Sequence, residues 1–165
     1  MRDPFESIHK LLKQRKLALV LRLLLDSKHR VKAQFRGDVN HAWYLVGDAY
    51  QRKGDYQSAI TAFKRAFQNR EEDLEALWAI GDCYSEIGRP ILAERYYRKV
   101  LQFSKHNVAI RFNLGNALFD QGKYGRAISV YRSIEERVDS KVYRLAQKNL
   151  RNALMRLQKN RQQSS

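Results

Sequence analysis

The chain has 165 residues, of which 44% are hydrophobic, and its 32 Lys and Arg outnumber its 17 Asp and Glu to give a formal net charge of +15. A chain of this length and composition normally forms one domain with a substantial core. Cys83 is the only cysteine, which excludes an internal disulfide framework and favours a buried thiol in a reducing compartment.

The first 39 residues form an N-terminal segment in which we expect a helix pair over residues 4–13 and 16–27, followed by a loop over 28–38. The second helix carries leucines on nearly all sides, so it must be covered on more than one face. It packs either on the helices that follow, which is the favoured interpretation, or on a second copy of the chain. The second alternative predicts self-association through the N-terminal helices.

The apolar run from Leu17 to Leu25 is not a convincing export or membrane signal. Arg22 interrupts it, no small-residue cleavage site follows, and it falls well short of the ~20 residues that span a bilayer. We therefore expect a cytoplasmic protein.

Four ladders of equivalent residues recur at a spacing of 34 in the middle of the chain. The ladders are Gly47, Gly81 and Gly115; Gly54, Gly88 and Gly122; Ala59, Ala93 and Ala127; and Phe63, Tyr97 and Tyr131. Small residues let two helices approach closely, with the large rings beside them. Glycines between two periodic stretches can end one helix by adopting a positive φ. Each copy is therefore predicted to be a helical hairpin.

The motifs are Trp43-x2-Val46-Gly47-x2-Tyr50, Ile80-Gly81-x2-Tyr84 and Leu114-Gly115-x2-Leu118, each followed by Ala-x3-aromatic. This pattern resembles the tetratricopeptide repeat (TPR) family over residues 40–141, with copies at 40–73, 74–107 and 108–141. The resemblance implies an all-α fold: a right-handed superhelical stack of antiparallel helix pairs. The family's late proline is missing, and Glu71, Lys105 and Asp139 take its place.

The C-terminal residues 142–160 are predicted to form a capping helix with an apolar stripe, followed by a disordered tail over 161–165. The stripe consists of Ala146, Leu150, Leu154 and Leu157. With three helix pairs and these flanking helices, the plan is also similar to that of small TPR scaffolds and chaperones.

Positive charge is concentrated at the two ends of the chain. Residues 1–39 hold ten Lys and Arg against four acids, residues 40–141 hold sixteen against thirteen, and residues 142–165 hold six against none. Arg144, Lys148 and Arg151 share one face of the last helix at i, i+4 and i+7. This possible basic contact surface could face a phosphate backbone, an anionic membrane or an acidic protein, or it could only keep the helix soluble.

Places within a copy are counted from Asn40, Leu74 and Val108. At about 100° per residue the fourth, seventh, eighth and eleventh places form a core face, whereas the fifth, ninth and twelfth form a separate stripe. The TPR resemblance implies that this stripe lines a concave groove that binds peptides. The candidate groove residues are Tyr44, Asp48, Trp78, Asp82, Phe112 and Asn116 on this stripe, and the neighbouring Asn113. The alternative is that these aromatic residues pack in the core.

One well-known TPR ligand, the terminal carboxylate of heat-shock chaperones, is not expected to bind. The family's clamp of Lys, Asn, Asn, Lys and Arg corresponds here to Trp78, Asp82, Asn113, Tyr143 and Gln147. Only Asn113 matches the clamp.

No catalytic, metal or cofactor site is predicted, because the four histidines lack metal-ligand spacing and no phosphate loop or nucleophile motif is present. Two hypotheses about function remain. The first is a protein-interaction module, a scaffold or chaperone-like adaptor that holds a partner's peptide in the groove. The second is that the basic end helices bind nucleic acid or an anionic membrane, with the repeats as a spacer.

Overall fold

The computed structural model describes residues 3–68, 73–135 and 140–163, and these residues form nine α-helices and one 3₁₀ helix. The helices are α1 (Glu6–Lys13), α2 (Leu17–Leu24), α3 (Val39–Lys53), α4 (Tyr56–Phe67), α5 (Leu74–Glu86), α6 (Pro90–Phe103), α7 (Val108–Asp120), α8 (Tyr124–Arg132) and α9 (Ser140–Gln163). Among the described residues, strand-like pairing is confined to one bridge between Leu25 and Val31. The predicted all-α fold class is confirmed. Glu71 and Asp139, which stand where the family has proline, lie outside the described residues.

The chain divides into two compact units, an N-terminal unit of Met1–Ile87 and a C-terminal unit of Gly88–Ser165. The division falls between α5 and α6, the two helices of the second copy. The N-terminal unit holds α1 to α5, and the C-terminal unit holds α6 to α9.

In the N-terminal unit, α1 and α2 share one core with α3 and α4 rather than standing apart from them. The members of this core include Phe5, Ile8, Leu12, Val20, Leu24, Phe35, Ala42, Leu45, Val46, Ala49 and Ala62. Packing of the N-terminal helices on the first repeat is therefore confirmed. In α2, Val20 and Leu24 are buried and the other leucines are half-buried. Each Å² of apolar surface removed from water contributes about 25 cal/mol to the free energy of folding.

The N-terminal helices are shorter than expected from the sequence. Helix α2 ends at Leu24, three residues before the predicted boundary, because Leu25 is extended and pairs with Val31. The Asp26 carboxylate accepts backbone N–H bonds from Lys28 and Arg30 at 2.9 Å, which closes the turn. The predicted loop also contains a 3₁₀ helix, Ala33–Asp38, which the buried ring of Phe35 anchors to the core.

The predicted roles are confirmed for Gly47 and Gly115 at the helix crossings and for the three glycines that end helices. A methyl group on Gly47 would lie 2.6 Å from ring atoms of Phe63, and one on Gly115 would meet the ring of Tyr131. Gly54, Gly88 and Gly122 have φ of 84°, 68° and 73°, a region that side chains other than glycine rarely adopt.

Side-chain caps that the ladders do not reveal begin four of the helices. Asp38, Asp55, Asp73 and Asn107 each accept a backbone N–H from the residue three positions later, at 3.0 to 3.1 Å. Pro90 occupies the first position of α6, where its missing N–H costs nothing. The capping side chains that begin the helices and the glycines that end them together set the boundaries of the helical hairpins.

In the C-terminal unit, α6 packs on α7, α7 on α8, and α8 on α9. Helix α9 extends through Gln163, so residues 161–163 are helical and not a disordered tail; residues 164–165 lie outside the described residues. The helix continues because Lys, Arg and Gln form helices readily and no Gly or Pro intervenes. Its buried stripe is Ala146, Leu150 and Ala153, whereas Leu154 is 41% exposed.

Candidate functional site

The first helix of each copy (α3, α5 and α7) is buried on two faces. Besides the predicted core face, each buries its third and tenth places. These residues are Ala42 and Ala49, Ala76 and Cys83, and Ile110 and Ala117. The fifth and ninth places lie between these faces and are half-buried in all three copies. The stripe is therefore neither wholly in the core nor fully in solvent.

In the N-terminal unit, Tyr44 stands on the stripe in acidic surroundings. Its ring lies 5.4 Å from that of Phe63, centroid to centroid, at a tilt of 58°. Burial raises the pKa of the Tyr44 hydroxyl to about 12, and the negative charges of Glu75, Asp48 and Asp73 add to the increase. The hydroxyl therefore stays protonated at neutral pH and can donate a hydrogen bond.

Asp48, one turn after Tyr44, forms an ion pair within its own helix. The Nε of Arg52 donates to its carboxylate at 2.6 Å, and the Asp48 side chain remains 21% exposed. Exposed pairs of this spacing contribute only about 0.3–0.5 kcal/mol. Arg52 therefore forms only a weak ion pair with Asp48.

Trp78 and Asp82 occupy the same two places on α5, and both side chains are half-buried. The indole Nε1 of Trp78 is screened from solvent and finds no acceptor among the described residues. A buried donor without an acceptor costs about 1–3 kcal/mol.

The Cys83 thiol lies next to Asp82 in the sequence. Burial raises the pKa of this thiol to about 12, and the charges of Asp82 and Glu86 add to the increase, so the thiol stays protonated at neutral pH.

In the C-terminal unit, the same places are partly used by the fold itself. The Phe112 ring lies 6.2 Å from that of Tyr131. The side-chain Oδ1 of Asn116 accepts a hydrogen bond from the Tyr131 hydroxyl at 2.8 Å and another from the side-chain amide of Asn149 on α9 at 2.9 Å. Asn113 is half-buried and takes part in an interaction within the chain. Asn116 therefore ties α9 to α7.

The last described helix carries the three cations that the sequence analysis offers as a contact surface. Arg144, Lys148 and Arg151 are all exposed on α9. The described part of this helix contains seven cations and no acid: Lys141, Arg144, Lys148, Arg151, Arg156, Lys159 and Arg161.

A buried carboxylate in the C-terminal unit escaped the sequence analysis. Glu94 is 9% exposed and accepts hydrogen bonds from Arg98 at 2.8 Å, Gln121 at 2.8 Å and Lys123 at 3.1 Å. Burial alone would raise the pKa of Glu94, but these donors outweigh it and lower the pKa to about 2. The ladders carry no sign of this cluster, because Gln121 and Lys123 are 27 and 29 residues away in sequence.

Two cavities are lined by none of the seven candidate residues. One, of about 240 Å³, is lined in the N-terminal unit by Trp43, Tyr50 and the loop residue His29, and the Arg65 guanidinium covers the Trp43 ring at 4.5 Å. The other, of about 520 Å³, lies in the C-terminal unit beside Phe119 and Met155.

Within the described ranges, no set of three or more His, Cys, Asp or Glu side chains is arranged to hold a metal ion. No helix in the same ranges is long and apolar enough to cross a membrane.

Two family models described as tetratricopeptide repeat match residues 38–106 and 86–141. The chain is 28% identical over 76 residues to tetratricopeptide repeat protein 8 of Caenorhabditis elegans, a match covering 46% of this chain and 15% of that protein. It is 31% identical over 74 residues to G-protein-signaling modulator 1 of Mus musculus, a match covering 45% of this chain and 10% of that protein. The matched region thus spans no more than 15% of the length of these curated relatives.

Solved structures share the fold at low sequence identity. MamA of Desulfovibrio magneticus RS-1, from residue 41 to its end, matches with a TM-score of 0.70 and 20% identity over 96% of this chain and 94% of its own. YrrB, described as a TPR protein with an unusual peptide-binding site, matches with a TM-score of 0.66 and 20% identity over 92% of this chain and 80% of its own.

Proposed function

Because the chain belongs to the tetratricopeptide repeat family, whose members are generally non-enzymatic protein-interaction modules, we propose that it binds a peptide segment of a partner protein along the stripe of fifth and ninth places. The residues proposed to contact the peptide are Tyr44, Asp48, Trp78, Asp82, Phe112 and Asn116 on the stripe, and Asn113 beside it. The chain is a scaffold in this proposal, and its partner is another protein.

The observation that carries the proposal is the combination of aromatic rings and acids on the stripe of the N-terminal unit. Tyr44 and Trp78 are half-buried and keep part of their surface in solvent. Rings of this kind, apolar with a polar tip, are the side chains that most often dominate protein interfaces. Asp48, Asp73 and Glu75 around the Tyr44 hydroxyl favour a partner that brings Lys or Arg.

The indole N–H of Trp78, which has no acceptor in the part of the chain that the structure describes, supports the same proposal. A peptide backbone presents carbonyl oxygens at regular intervals, and a small shift of the indole would allow it to donate to one of them. Such a bond would recover the cost of the unpaired donor, about 1–3 kcal/mol. The YrrB structure, with its peptide-binding site on the same fold, supports a peptide as the kind of ligand.

A site-specific photo-crosslinking experiment tests the proposal. A photoreactive phenylalanine analogue replaces Tyr44 in one version of the protein and Phe103, which is 62% exposed and off the stripe, in a control version. After irradiation in nuclease-treated lysate, we expect Tyr44 to capture a discrete protein that Phe103 does not. That protein is then purified and its affinity is measured by calorimetry.

Trp78→Ala should weaken binding of the captured partner at least tenfold, and Phe103→Ala should leave the affinity unchanged. A tenfold loss corresponds to about 1.4 kcal/mol, within the range of an aromatic contact at an interface. Equal affinities for both variants would contradict the proposal. Capture that occurs in untreated lysate and is lost in nuclease-treated lysate would instead favour the basic helix as the contact surface.

A further inference from the structure

Helix α9 repeats the burial pattern of a first helix, but in a shifted register. Its buried residues Ala146, Leu150 and Ala153 follow Ile110, Leu114 and Ala117 of α7 at a spacing of 36 instead of 34. The hydrogen bond from Asn149 to Asn116 fixes this register between the two helices.

The shift changes which residues continue the stripe. Counted in the shifted register, the fifth, ninth and twelfth places of α9 are Lys148, Asn152 and Met155. The eighth place, which holds glycine in each repeat, is Arg151. Its side chain is exposed, whereas Gly115 of α7 is buried under the ring of Tyr131.

A cavity of about 520 Å³ lies on this extended stripe, lined by Phe119, Asn152, Met155, Arg156 and Lys159. Phe119 is the twelfth place of α7, so the lining joins equivalent places on α7 and α9. The volume falls within the range of about 300–1,000 Å³ that is usual for ligand-binding clefts.

The lining has an apolar part and a cationic part. Met155 is 61% exposed, and its flexible thioether adapts to apolar partners. The Phe119 ring packs edge-on against Tyr124, with centroids 5.2 Å apart. Arg156 and Lys159 are exposed beside these residues.

From this juxtaposition we infer that the cavity binds an acidic segment of a partner protein, with a large apolar side chain between Phe119 and Met155 and a neighbouring carboxylate at Arg156 and Lys159. The inference rests on the proposed function and names the partner chemistry for the C-terminal unit. The described part of α9 contains no acid, so a carboxylate meets no competing charge from that helix.

A protein segment fits the cavity better than a nucleic acid does. Stacking of bases requires exposed ring faces. The one ring in the lining, Phe119, is half-buried and already in contact with Tyr124. The apolar residues Phe119 and Met155 and the cations Arg156 and Lys159 together match a peptide in which an apolar side chain stands next to an acidic one.

Selection of random peptides displayed on phage tests the inference, with each peptide flanked by fixed residues so that it has no free carboxyl terminus. Wild-type protein should enrich sequences that place Asp or Glu beside Leu, Met or Phe. The double variant Arg156→Gln/Lys159→Gln should lose the preference for acids and keep the preference for apolar residues. A control variant, Lys99→Gln/Arg126→Gln, removes two exposed cations elsewhere in the same unit and should select as wild type does.

Fluorescence anisotropy with one enriched peptide then gives the size of the effect. We expect an affinity loss of about tenfold for Arg156→Gln/Lys159→Gln and a similar loss for Met155→Ser. Absence of acidic enrichment, or equal enrichment by both double variants, would overturn the inference. Tighter binding of single-stranded polyuridylate that depends on the same cations would also overturn it.

Parallel calorimetry with the partner that depends on Trp78 separates this inference from the proposed function. If Trp78→Ala weakens that partner while phage selection shows no acidic preference, the stripe of the N-terminal unit works and the α9 cavity does not.

Discussion

The same helix places carry opposite chemistry in the two units. On α3 and α5 the stripe combines Tyr44 and Trp78 with aspartates, whereas on α9 the shifted stripe holds Lys148 and Asn152 beside further cations. The packing beneath is equivalent, because small or apolar residues fill the third, seventh and tenth places in both. The fold therefore fixes where the stripe lies, and the residues on the stripe set the charge that each unit presents to its proposed partner.

The comparison also separates residues that hold the fold from residues available to a partner. Asn116 occupies a stripe place but gives its carbonyl oxygen to Tyr131 and Asn149. Asp48, at the same place of the first copy, instead forms an ion pair with Arg52 of its own helix. Equivalent places in a repeat need not have equivalent roles.

The largest expected difference between the units is in their response to acid. The Glu94 pKa is lowered from 4.5 to about 2 in the folded C-terminal unit, so the folded state favours the ionised carboxylate. Its contribution to the free energy of unfolding is fully present above pH 4.5 and is lost as the pH falls towards 2. The contribution is on the order of 2–3 kcal/mol. Urea unfolding of wild type and Glu94→Gln between these pH values measures it, and curves that stay parallel at every pH would contradict the prediction.

The shared scaffold predicts equal sensitivity to an added methyl group in both units. Gly47→Ala and Gly115→Ala should each lower the free energy of unfolding by about 1–3 kcal/mol, because the new methyl collides with Phe63 or Tyr131. Gly125→Ala is the matched control, since nothing lies within 4 Å of its added methyl. Thermal unfolding followed by circular dichroism measures all three variants. If Gly47→Ala is as mild as Gly125→Ala, the close approach of α3 and α4 is wrong.

A pair of asparagines on α9 separates fold from site within one helix. Asn149→Ala removes the donor to Asn116 and should lower the free energy of unfolding by about 1 kcal/mol. Asn152→Ala, in the cavity lining, should leave stability within about 0.5 kcal/mol and weaken acidic peptides instead. Chemical unfolding and anisotropy on both variants give the two readouts. The opposite assignment, with Asn152 needed for stability, would show that the register of α9 is misplaced.

The sequence predicted the repeats because the packing constraints recur. Gly47 under Phe63 and Gly115 under Tyr131 leave a signature at fixed spacing, and Gly54, Gly88 and Gly122 mark the helix ends. The shifted register of α9 was not predictable in this way. Arg151 replaces the glycine that anchors each repeat, so only the buried residues of the structure locate the stripe.

The Glu94 cluster was missed for a different reason. Its carboxylate is stabilised by Gln121 and Lys123, which the chain brings close only after α6 and α7 have packed. No local pattern distinguishes such a glutamate from an exposed one. The candidate stripe residues were predicted from periodicity, but which of them bond within the chain, as Asn116 does, depended on the position of α9.

The smallest expected effect concerns Arg52, which competes with any cationic partner for Asp48. Arg52→Gln should change the free energy of unfolding by less than about 0.5 kcal/mol, because the pair is exposed and lies within one helix. It should also free the Asp48 carboxylate and raise the affinity of the partner that depends on Trp78 about twofold, provided that partner brings Lys or Arg. Lys53→Gln, at the exposed neighbouring position, removes the same charge without touching Asp48 and should leave the affinity unchanged. An equal gain in affinity for both variants would reflect net charge alone. A loss of affinity in Arg52→Gln would mean that the arginine itself contacts the partner. The stripe of the N-terminal unit would then present less negative charge to its ligand than Asp48, Asp73 and Glu75 suggest.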